Sequence, residues 1–155
     1  MNILQLTPHI DIGGISTYVL ALSKALRARG FRVCCASGGG SLARRFQGDH
    51  ISHTALPIGP HSELHPQLIE AYVRLAKLVQ REDIKLIHAH TRLAQVLAQW
   101  IRWRLRVPFV TTCHGFLKKG LLKRLAPCWG DYVIAVSEPV REHLVNDFKL
   151  EKKRK

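Results

Sequence analysis

The sequence predicts an α/β fold: a Rossmann-like parallel sheet of about six strands, ordered 3-2-1-4-5-6, with helices on both faces. Three observations carry this expectation. Short apolar runs alternate with longer segments of helical periodicity along the chain. Glycine or proline punctuates many of the joins. The 155 residues are 46% hydrophobic and 23% charged, which gives one domain with a real core and no reason for wholesale disorder.

Each element follows in turn. Ile3–Leu6 reads as the first strand. Gly13 and Gly14 break the chain, and Ile15, Tyr18, Val19, Leu22 and Leu26 then recur at helical spacing until Gly30. Phe31–Ala36 is the second strand; Gly38, Gly39 and Gly40 turn it into a short helix over Leu42–Gln47. Ile51–Leu56 is a weaker third strand that stops at Pro57. After a polar loop, Pro66 suits the first turn of a helix. Leu68, Tyr72, Leu75, Ala76 and Val79 line one face of that helix, with Arg74, Lys77 and Arg81 off it. Lys85–Ala89 is the fourth strand. Arg92–Arg106 is a helix with Leu93, Val96, Leu97, Trp100 and Ile101 inward. Pro108–Thr112 is the fifth strand, with proline at its start, where it is tolerated. Phe116–Cys128 is a basic helix and Tyr132–Val136 the sixth strand. Ser137 is placed to cap a final helix in which Val140, Leu144 and Phe148 repeat every four residues. Residues 1–148 make the domain, and 149–155 a basic tail.

The charge is +13, from 24 Lys and Arg against 11 Asp and Glu. It belongs to the body: the tail holds five positive charges and one negative, leaving +9 elsewhere. Ile84 to Gly130 contains no acid but nine Lys and Arg. An acidic binding tail is excluded, and an acidic partner fits. No run approaches the ~18 apolar residues of a bilayer-spanning helix, and the N-terminus lacks the basic lead and apolar core of a secretory signal. A cytoplasmic location is therefore expected, with four reduced cysteines: Cys34, Cys35, Cys113 and Cys128. Their spacing fits no zinc site.

In a sheet of this type ligands bind outside the carboxyl ends of the strands. That rule selects the loops holding Gly13 and Gly14, Ser37–Ser41, His90–Arg92, Cys113–Phe116 and Ser137–Pro139. Gly13 and Gly14 either make a tight turn or let a helix N-terminus approach a phosphate. The segment is not GxGxxG, and Ala36 and Ser37 stand where a ribose-binding acid would be, so a nicotinamide cofactor is not expected. His88 and His90 point to one side of their strand, but no third metal ligand has suitable spacing, and no metal is expected. His90, nearer the carboxyl end, is placed to reach a ligand; His88 is placed for burial. Cys113 and His114 face opposite ways, against a catalytic dyad. His114, just before Gly115, is a candidate for hydrogen bonding to a polar substrate. The basic helices are either solvated faces or attract anionic lipid or a phosphorylated acceptor; Trp100 and Trp103 among Arg102, Arg104 and Arg106 fit an interfacial face. No RNA-recognition, KH or zinc-finger pattern appears, so no nucleic acid is expected.

Four segments together resemble the N-terminal domain of GT-B glycosyltransferases of family 4. They are Pro8-His9-Ile10-Asp11-Ile12-Gly13-Gly14-Ile15-Ser16-Thr17-Tyr18, Ile87-His88-Ala89-His90-Thr91, Thr111-Thr112-Cys113-His114-Gly115 and Asp131-Tyr132-Val133-Ile134-Ala135-Val136-Ser137-Glu138. The resemblance runs over residues 1 to 148. It implies two Rossmann-like domains with the active site between them, this one receiving the acceptor. The other would bind the nucleotide-sugar donor and carry a Glu-x7-Glu motif, which this chain lacks. It implies transfer that retains anomeric configuration without a bound metal. By position, Gly13 and Gly14 correspond to the loop facing the donor diphosphate, and His114 to the catalytic histidine near the donor sugar. His90, Arg92, Lys118, Lys119 and Arg124 are candidates for the acceptor, through its phosphate or the membrane surface.

The expected function is the acceptor-binding half of a retaining glycosyltransferase that builds a cell-surface polysaccharide or glycolipid, inactive alone. Its partners would be a nucleotide sugar, as co-substrate rather than cofactor, and a glycan or lipid-linked acceptor. The whole would sit at the inner face of the membrane. The competing reading is a non-catalytic module that binds anionic membrane or a phosphorylated glycolipid.

Overall fold

The structure is a computed structural model that describes residues 1–59, 65–117 and 128–150. Eleven elements are seen among them: β1 (Asn2–Leu6), α1 (Gly14–Ala28), β2 (Arg32–Ser37), α2 (Ala43–Gly48), β3 (Ser52–Ala55), α3 (Gln67–Arg81), β4 (Leu86–Ala89), α4 (Arg92–Leu105), β5 (Phe109–Cys113), β6 (Tyr132–Ala135) and α5 (Glu138–Phe148). The strands pair in parallel, as the alternation of periods predicts, in the order β3-β2-β1-β4-β5-β6 expected of the Rossmann-like class.

Alternation along the strands builds two separate faces. Leu4 and Leu6 of β1, Ile87 and Ala89 of β4, and Phe109 of β5 pack under α3 and α4, with Leu75, Leu78, Leu97 and Ile101. The other face buries Cys35 of β2 against Val19 and Leu20 of α1 and Phe46 of α2. A third cluster joins Cys113, Trp129 and Val133 to Val140 and Leu144 of α5 and extends to Leu150. Lys149 turns the chain out of α5 in the left-handed region, so ordered packing continues two residues past 148.

Two local expectations change. The buried stripe of α1 is Ser16, Val19, Leu20 and Ser23, while Leu22 and Leu26 are only half-buried. Small serines let the helix lie close to the sheet, and Ser23 settles its hydroxyl by donating to Val19 O at 2.7 Å. Ser137 stands at the start of α5, but its side chain makes no capping bond. Its carbonyl accepts from Arg141 N instead, and Glu138 and a first-turn proline supply the helix start. Trp100 packs edge-on against Tyr72 of α3, whereas Trp103 is 71% exposed. The expected helix over 116–128 and the tail beyond Leu150 fall largely outside the described residues. Among the described residues no helix is long and apolar enough to cross a membrane.

The carboxyl rim of the sheet is stitched together by backbone. Gly38 N donates to Pro8 O at 2.7 Å, Ile10 N to Gly39 O at 2.9 Å, and Leu42 N to Ile10 O at 3.0 Å. Ser41 N donates to Asp11 Oδ1 at 3.0 Å. The loops after β1 and β2 therefore form one ledge.

Candidate active site

The rim carries two open cavities. One, of about 470 Å³, is bounded by Pro8, His9, Asp11, Gly38, Gly40 and Ile58. The other, of about 330 Å³, lies where β4 and β5 end and α1 and α4 begin; Ile15, His90, Arg92, Gln95, Thr112 and His114 are among its walls. The second brings together three of the regions that the sequence singles out. Gly13 and Gly14 lead directly into Ile15, His90 and Arg92 flank the start of α4, and His114 follows β5 by one residue. Lys118, Lys119 and Arg124 lie outside the described residues.

Side-chain parity assembles the histidines. Gln5, His88, His90, Thr112 and His114 all project from the α1 face, because they occupy alternate positions in register on neighbouring strands. His88 Nε2 lies 2.7 Å from Thr112 Oγ1. His90 Nε2 lies 2.7 Å from Gln5 Oε1, and its Nδ1 lies 3.2 Å from His114 Nε2. The rings of His88 and His90 stack with centroids 4.2 Å apart. Tyr18, one turn into α1, sets its edge against His114 at 5.0 Å and His90 at 5.9 Å between centroids. His90 is 2% exposed and borders the cavity from below; His114 is half-buried and more open to it.

Burial decides the charge of this cluster, because an imidazolium loses its hydration there. Burial, with His114 nearby, lowers His88 to about 4. Burial first, then His88 and His114, push His90 well below the ordinary histidine value. Burial also lowers His114. At neutral pH the site presents neutral imidazoles, which can donate and accept hydrogen bonds but add no positive charge. Among the described residues no group of three His, Cys, Asp or Glu is arranged to hold a metal ion.

Cys113 turns the other way, into the third cluster, and burial raises its thiol to about 12. It is a core residue and not a partner of His114. Cys34, raised to about 11 by burial ahead of Glu82, and Cys35, raised further by burial, are likewise inert.

Gly13 and Gly14 behave differently from the glycines beside them. Gly13 has φ 172°, an extended value open to any residue, and an added Cβ would meet nothing nearer than Asp11 O at 3.9 Å. A Cβ on Gly14 would meet nothing within 4 Å. No side chain caps the start of α1, whereas Thr91 Oγ1 caps α4 by accepting from Ala94 N at 3.4 Å. The fold thus gives neither glycine a reason to be glycine, and it leaves the positive end of α1 open beside His114.

A family model, Glycosyltransferase Family 4, matches residues 12–154. The chain belongs to that family. Among curated proteins none matches its sequence. Solved structures match its fold: a glycosyltransferase from Rickettsia africae at 20% identity, TM-score 0.77, covering 99% of this chain and 41% of that one. Anabaena HepE, solved in complex with UDP-glucose, matches at 19% identity and TM-score 0.74, covering 94% of this chain and 40% of that one. A UDP-N-acetylglucosamine 2-epimerase matches at 9% identity and TM-score 0.68, covering 99% and 46%. The last shows that this fold alone does not choose between sugar transfer and epimerisation. The chain spans about 40% of the length of the two glycosyltransferases.

Two site residues escape sequence reading. Tyr18 sits on a helical stripe and reads as core. Gln5 is visible only as a lone polar residue in an otherwise apolar strand, and its burial without solvent is what marks it.

Proposed function

We propose that this chain is the acceptor-binding half of a retaining glycosyltransferase. It would move a sugar from a nucleotide sugar to a cell-surface polysaccharide or glycolipid at the cytoplasmic face of the membrane, and it is inactive without a donor-binding domain. The observation that carries this reading is the shared cavity, which has an uncapped, glycine-opened helix start on one side and neutral His114 on the other. The amides after Gly13 and the positive end of α1 suit a diphosphate that gains charge as the sugar leaves. His114, at the same opening, suits a hydrogen bond to the sugar near the reacting carbon. Arg92, with Lys118, Lys119 and Arg124, supplies positive charge for a phosphorylated acceptor. Membership of family 4 supports transfer as the reaction class, and the UDP-glucose held by HepE supports a nucleotide sugar as donor.

The test joins this chain to a family-4 donor domain in one polypeptide and assays sugar release and transfer. Transfer is expected only from the joined protein. His114→Ala is expected to lower kcat about 100-fold, the size of a lost site contact, with the melting temperature unchanged. Robust transfer by the chain alone, or unchanged kcat in H114A, overturns the reading. A second reading, a module for anionic membrane, is favoured by Trp103, exposed between Arg102 and Arg104 on α4. Flotation with phosphatidylglycerol vesicles tests it: the module requires binding that salt weakens, with no sugar turnover from the joined protein.

A further inference from the structure

The hydrogen bonds behind His114 have a direction. Gln5 lies in mid-β1, fully buried, and its Oε1 is 2.7 Å from His90 Nε2. A carboxamide oxygen only accepts, so the proton on this contact belongs to His90 Nε2. A neutral imidazole carries one N–H, so His90 Nδ1 is a bare lone pair. Its neighbour at 3.2 Å, His114 Nε2, must then donate. That leaves the other ring nitrogen of His114, Nδ1, without a proton.

We propose that Gln5 and His90 are positioning residues that hold His114 in its Nε2-protonated tautomer, so that Nδ1 is presented as a hydrogen-bond acceptor to a ligand hydroxyl in the cavity. Both are buried and act through His114, and the histidine rings are held by their surroundings. His88 stacks on His90, and Tyr18 braces both outer rings. A second acceptor, Gln95 Oε1, is buried in the same wall and has no hydrogen-bond partner. Two acceptors in one cavity call for a ligand with more than one O–H, which a sugar ring supplies and the esterified diphosphate of a nucleotide sugar does not. The catalytic meaning of the relay rests on the transfer reading above; its polarity does not.

The experiment is long-range ¹H–¹⁵N spectroscopy of the imidazoles in the uniformly ¹⁵N-labelled chain. His90 and His114 are both expected as single Nε2–H tautomers. In Gln5→Met, which keeps the bulk and removes the acceptor, His114 is expected to lose its single-tautomer pattern. A His114 that carries its proton on Nδ1 in the unsubstituted chain overturns the proposal, and this holds even if Q5M does not fold. A Q5M spectrum like that of the unsubstituted chain also overturns it. In the protein joined to a donor domain, Q5M is expected to lower kcat about tenfold, less than the loss in H114A because the His114 side chain itself remains, with KM for the donor little changed. Unchanged kcat beside an altered tautomer overturns the functional half. A relay that fails these spectra while H114A still lowers transfer leaves the transfer reading standing, so the two failures are distinct.

Discussion

Two glycine groups border the same rim for opposite reasons. Gly38 and Gly40 are glycine because the fold has no room for anything else. A Cβ on Gly38 would stand 2.4 Å from Ile58 O and 2.7 Å from Pro8 O. One on Gly40 would stand 2.5 Å from Ile10 C, at a φ of 148° that side chains rarely adopt. Gly13 and Gly14 are under no such constraint. Glycine that packing demands says nothing about ligands. Glycine that packing does not demand, at an open helix start beside a histidine-walled cavity, asks for an external reason, and a closely approaching ligand supplies one.

The comparison is most easily broken at Gly40. Gly40→Ala combines strain with backbone overlap against a neighbouring loop that is hydrogen-bonded in place. It should destabilise the chain by more than about 3 kcal/mol and be seen as a lost or strongly lowered thermal transition. Gly38→Ala should destabilise by about 2–3 kcal/mol, since its backbone torsion is ordinary and only the overlap acts. If either substitution is neutral by denaturant titration, the ledge is looser than its backbone hydrogen bonds require, and the contrast with Gly13 and Gly14 dissolves.

The histidine side of the rim makes its own demand on stability. A histidine lowered in the folded state binds its proton better when unfolded. Its stabilising contribution is therefore complete above the unfolded value near 6.5 and is lost as pH falls toward the folded value. For His88, lowered to about 4, the loss amounts to roughly 3 kcal/mol at the acid end. His90 and His114 act in the same direction. Urea midpoints should be level from pH 7 to 8 and fall steadily between pH 6.5 and 4. His88→Gln should flatten that slope, because a neutral amide can still reach Thr112 without taking up a proton.

How much of this was open to sequence reading depends on what each residue's neighbours are. Parallel pairing follows from local periodicity and the handedness of crossovers, and the strand order from the doubly wound class that these features indicate. The placing of His114 at the ligand edge needed only its position one residue past an apolar run. The union of Gln5, His90 and His114 could not be read, because it depends on register between strands far apart in the chain. The run of basic residues in α4 misleads for a similar reason. Arg102 reads as part of a solvated or lipid-facing stripe, yet its Nη1 lies 2.6 Å from Asp131 Oδ2, and Asp131 also accepts from Phe109 N. Glycine type was legible at all four rim positions; which of them the fold requires became visible only with the backbone torsion and the space beside each.

Gly14→Ala is the finest test of the contrast, because its effect on stability should be small and of opposite sign to that of Gly40→Ala. Gly14 is the first residue of α1, and its Cβ would enter open space. Alanine there restricts the unfolded chain and favours the helix, so the melting transition should be unchanged or rise by up to about 1 kcal/mol in stability. In the protein joined to a donor domain, the same methyl group would stand between the amides of α1 and an approaching diphosphate, and KM for the nucleotide sugar should rise. A substitution that stabilises the fold while weakening the donor separates the two reasons for glycine in one variant. A variant that stabilises the fold and leaves the donor untouched would return Gly14 to an ordinary turn and leave His114 to carry the site alone.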